Sequence, residues 1–145
     1  MKDLHSFLSP VAAIEPVKVL DATVPTTVEI DLQGYNSAAV VISWGAKGGG
    51  DTGTIDVTMT HADDDGTGAS GSYANVAAAD VTGVTPATGV VKNLAAGAVA
   101  KGILLFSYVG GKRFIKLAVT ESNANATGTI MDTIVLKGHP ATTVE

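Results

Sequence analysis

The sequence predicts an all-β domain, an antiparallel β-sandwich of jelly-roll type that carries an extended N-terminal arm. Three observations lead to that class. Apolar and polar side chains alternate at period two in several runs, which puts one set on a core and the other in water. Glycine-rich or aspartate-rich punctuation separates the runs about every ten residues. Valine and threonine are abundant, and both suit a pleated, half-buried surface.

Residues 1–25 hold three of the five prolines, Pro10, Pro16 and Pro25, and show no sustained period. Proline fixes φ and removes a donor, so this stretch reads as an extended arm and not a helix. Its apolar residues, Phe7, Leu8 and Ile14 among them, are too many for a solvated tail. They either pack on their own domain or dock on a neighbouring subunit. On this reading, removing residues 1–16 leaves the sandwich folded.

The sandwich proper is expected over residues 26–140, with 141–145 as a C-terminal tail. Four sets should face one core: Val28/Ile30/Leu32, Val40/Ile42/Trp44, Ile55/Val57/Met59 and Ile115/Leu117/Val119. The run from Ala38 to Trp44 is apolar on both faces, as for a strand in the middle of a sandwich. Ile103 to Val109 and Ile130 to Leu136 complete the strands. Gly110-Gly111 is a two-residue hairpin signal, because both positions can take positive φ. Val91 to Lys101 is either a helix, with Leu94, Ala95, Ala98 and Val99 at helical offsets, or a strand-linking loop. Gly97 costs the helix about 1 kcal/mol relative to alanine.

At 145 residues the chain is one domain, long enough to form a core without staples. It has no cysteine, which excludes disulfides, thiolate metal sites and cysteine nucleophiles. A net charge of −5 with no basic block argues against a nucleic-acid partner. Its apolar runs fall far short of the roughly 18 residues that cross a bilayer, so no membrane partner is expected. The proline-broken N-terminus contains no apolar stretch of a secretory signal, which points to synthesis for the cytoplasm.

The motifs of catalysis are weak. Gly66 to Gly71 spells the dinucleotide pattern, but a strand-like segment follows it where a helix is needed, and Asp63-Asp64-Asp65 precedes it. Those aspartates lack calcium-loop spacing and read as a turn. His5, His61 and His139 lie far apart, and His61 sits on the apolar phase of its strand, as a satisfied core histidine would. No nucleophile elbow or metal-ligand spacing occurs, so neither enzyme activity nor a cofactor nor a metal is expected. Lys112 and Arg113, after the glycine pair, form the one concentrated basic feature. They read as a solvated tip or as an anchor for a partner's carboxylate.

Four segments carry a resemblance: Asp31 to Ala38, Thr60 to Gly66, Tyr108 to Phe114 and Leu136 to Pro140. In these the chain resembles small virion-associated proteins encoded beside the major capsid gene of tailed bacteriophages. The resemblance implies a structural protein of the virion, a head decoration (cement) protein on the outer capsid surface. Its implied partners are the major capsid protein and copies of itself, in a trimer by analogy. Placement in the tail or head–tail junction is the alternative within that class. Outside it stands a carbohydrate-binding sandwich, with Tyr35, Tyr73 and Tyr108 as the available platforms. Phe7, Leu8, Ile14, Lys112 and Arg113 are the candidate interface residues.

Overall fold

The computed structural model describes residues 8–20, 23–122 and 125–140, and they form two antiparallel sheets packed face to face. The strands are β1 (Leu8–Val19), β2 (Glu29–Asp31), β3 (Tyr35–Trp44), β4 (Ile55–Ala62), β5 (Ala74–Asn75), β6 (Val81–Thr82), β7 (Val90–Leu94), β8 (Gly102–Tyr108), β9 (Phe114–Glu121) and β10 (Thr129–Pro140). The first sheet runs β1-β10-β3-β8-β6. The second runs β2-β9-β4, with β5 and β7 sharing the far edge of β4.

The period-two sets meet between the sheets as expected. Val40 and Ile42 face Ile55, Val57 and Met59 on β4 and Ile115, Leu117 and Val119 on β9, all buried, and Trp44 packs at the margin. Val28 is the exception. The β2 ladder starts only at Glu29, so Val28 lies ahead of it and is 36% exposed.

Of the two readings of the N-terminal stretch, packing on its own domain is the one the structure shows from Leu8 onward. Its residues from Leu8 onward form β1, which pairs with β10 from Leu8↔Gly138 to Val19↔Thr129. The sandwich therefore begins at Leu8, inside the stretch read as an arm. An edge strand tolerates proline, and two register shifts, between Ala12 and Ile14 and between Ile14 and Val17, absorb the irregularity around Pro16. They also turn Ala13 and Ile14 into the core together. The extended geometry predicted from the prolines holds from Leu8 onward, and this part of the stretch packs on its own domain.

Of the two readings of Val91 to Lys101 the structure keeps the loop for its larger part, and the glycine hairpin is not formed. Residues 90–94 are strand β7, and the chain beyond Leu94 is a loop, with Gly97 at φ 80°. The Gly110-Gly111 pair does not close a hairpin, because β8 belongs to the first sheet and β9 to the second. Neither glycine takes positive φ. Gly110 is required for close approach: a Cβ there would lie 2.6 Å from the Tyr108 hydroxyl.

Candidate functional site

At one end of the sandwich the polar loops form a clasp. Asp64 accepts the backbone N–H groups of Gly66 (2.7 Å) and Gly68 (3.0 Å), and Asp65 accepts Thr67 N–H (2.8 Å). Gly66 and Gly68 both take positive φ, which closes the loop on its aspartates. The Asp63–Asp65 segment is thus a built turn, as read from sequence.

Lys112 and Arg113 fold onto this loop. Lys112 pairs with Asp63, and Arg113 with Asp64. Arg113 also takes Asp31 in a fork, Nε at 2.9 Å and Nη2 at 2.7 Å, and Nη2 donates to Gln33 Oε1 at 2.8 Å. The expected partner-facing anchor is therefore engaged within its own chain. The inter-sheet link aims Arg113 at the end of β2, where Asp31 stands, a juxtaposition that sequence spacing does not show.

The guanidinium holds the Asp31 carboxyl below its usual range, with Gln33 N–H adding to it. Gly68 and Gly66 N–H groups do the same for Asp64, with help from Arg113. Both carboxyls titrate lower folded than unfolded. Their contribution to stability is complete above about pH 4 and is lost as pH falls through the folded values. Melting temperature should stay level from about pH 7 to pH 5 on their account and fall below about pH 4. Arg113→Lys should lower it at neutral pH and flatten the acid fall, because an ammonium cannot hold Asp31 by a fork and reach Asp64 as well. Circular-dichroism melts of both proteins across this range check the outcome; identical acid limbs would show that the clasp contributes nothing.

Two features escaped sequence reading. Lys47, in the glycine-rich loop, is buried, and its ammonium lies among the carbonyl oxygens of Asp51 (2.6 Å), Gly53 (2.8 Å), Ala95 (3.1 Å) and Gly97 (3.2 Å). These replace its hydration and tie the loops together at the other end of the fold. His61, the satisfied histidine of the sequence reading, joins the two sheets through Nδ1 and the Tyr108 hydroxyl at 3.0 Å.

The second feature is the outward side of the first sheet. Ala12, Ile134, Val41 and Leu105 stand side by side across β1, β10, β3 and β8. Ile134 and Leu105 are 40% and 63% exposed, and Ile103 and Ile130 beside them 70% and 61%. Pro10, Leu136 and Ala39 form the next row. Charge enters this face at Asp132, to which Ser43 donates, and at its margin at Lys18, exposed on β1 beside Ile130. The second sheet turns Asp56, Thr58, Thr60, Lys116 and Thr120 outward instead. One sheet shows water a polar surface and the other an apolar one. The signal was present in sequence, as apolar residues on both phases of the β3 and β8 runs.

The remaining candidates divide. Leu8 is 38% exposed at the margin of the apolar face, Ile14 is 1% exposed in the core, and Phe7 lies outside the described residues. Tyr108 is buried. Lys116 covers one face of the Tyr73 ring at 3.9 Å, Lys137 one face of Tyr35 at 4.7 Å and Lys92 one face of Trp44 at 4.4 Å. No protein-family model matches the chain, and no curated protein matches it.

Proposed function

We propose that this chain is a structural protein of a tailed-phage virion, a decoration protein that attaches to the outside of the assembled head. The observation that supports an assembly role is the apolar outward face of the first sheet. A monomer in water rarely keeps so continuous an apolar surface, and one of this kind marks a contact with another protein. The virion class comes from the resemblance of the four segments quoted above. An acidic chain also suits an outer capsid surface better than a DNA-filled interior. Binding the assembled shell and not its separated subunits would stabilise the shell by mass action.

The test is co-sedimentation of the purified chain with undecorated heads of the phage that encodes it. Saturable pelleting, with a rise in the temperature at which heads disrupt, is expected. A chain that stays in the supernatant while heads pellet would overturn the reading, and pelleting with purified tails instead would move it to the tail.

A further inference from the structure

We propose that two copies of this chain pack through the outward faces of their first sheets, about a twofold axis that runs along the strands between β10 and β3. The inference takes up the assembly reading above and names the occupant of its apolar face as a second copy.

The relief of the face supports that pairing. Such an axis lays β8 of one copy over β1 of the other, and β3 over β10. Strand register then puts Leu105, which stands 63% exposed, over Ala12 of the second copy, and Ile134 over Val41. In the next row Leu136 meets Ala39. In these two rows the larger side chain faces a smaller one, which is how two sheets interdigitate at about 10 Å separation. In the row of Ile103, Asp132 meets Ser43, a hydroxyl that can donate to it. An axis across the strands would instead set Leu105 against itself and leave Ala12 facing Ala12, with a ridge on one side and a gap on the other.

Size is adequate. Four strands of this sheet, seven residues deep at β8, present roughly 440 Å² of flat area, before side-chain relief is counted. Two copies therefore cover on the order of 1,000 Å² together, the threshold of a specific interface. A patch that pairs with itself closes at two copies, which distinguishes this contact from the trimer expected by analogy. The β1 edge of the same sheet is a poorer route to assembly, since it carries Pro10, Pro16 and two register shifts.

Sedimentation velocity of the full chain from about 1 to 100 µM should show a dimer; a monomer or trimer throughout would overturn the proposal. Leu105→Glu should weaken the dimer about 100-fold or more with the far-UV spectrum unchanged, because the side chain is exposed in the single copy. Unaltered dimerisation would overturn it. Because the chain lacks cysteine, Ala12→Cys and Leu105→Cys report the axis directly. Within one copy these positions are three strands, about 14 Å, apart, too far for a disulfide. Mixed single-cysteine proteins should cross-link to each other in preference to Leu105→Cys with itself, and the reverse preference would refute the axis. A dimer that ignores heads keeps this inference and removes the virion reading. A monomer that binds heads, and loses them on Leu105→Glu, assigns the face to the shell and removes this inference.

Discussion

Deletion of residues 1–16 is expected to leave a chain that does not fold cooperatively. The cut removes Ala13 and Ile14 from the core and most of the β1 ladder from β10. Truncating a buried isoleucine to alanine alone costs about 2–5 kcal/mol, against a total stability of about 5–15 kcal/mol. The deletion also uncovers β10 as a long edge with Val135 on its inner side and Ile134 on its outer side, an invitation to aggregate. The expected readout is loss of the near-UV spectrum of Trp44 and elution in the void volume. A deletion variant with a sharp melt and a native spectrum would show that β1 is dispensable, as the proline pattern alone suggests.

Leu117→Asp should be nearly as damaging. Leu117 lies opposite Met59 in the β9–β4 ladder, fully buried between the sheets. Among the described residues Leu117 belongs to an apolar cluster, so a carboxylate there would be buried unpaired, and the change should cost several kcal/mol, enough to unfold a marginal domain. Ala118→Asp is the control, since Ala118 points outward beside Thr58. That change should stay within about 0.5–1 kcal/mol. Chemical denaturation of the pair measures both; equal midpoints would mean that the assigned strand phase is wrong.

Much of the fold was legible because side-chain alternation is a local property. The inner phases of β4 and β9 follow from the two-residue repeat, with no knowledge of what lies opposite. The aspartate turn was legible for a similar reason: Asp64 and Asp65 find their partners within four residues. The glycine pair misled because it carries two meanings. Glycine serves a tight hairpin or a close approach, and only the position of the Tyr108 ring shows that Gly110 serves the second.

What the sequence by itself determined is the β class, the extended course of the N-terminal stretch from Leu8 onward and the inward faces of β4 and β9. Tertiary structure alone decided which sheet each strand joins, and with it which surfaces face water. Arg113 meets Asp31 across 82 residues, and Leu105 stands outward because two layers, not three, enclose the core. An apolar run on both phases is the same string of letters whether another sheet covers it or water does. The difference lies in long-range strand pairing, whose closure depends on the whole chain and leaves no local period to read.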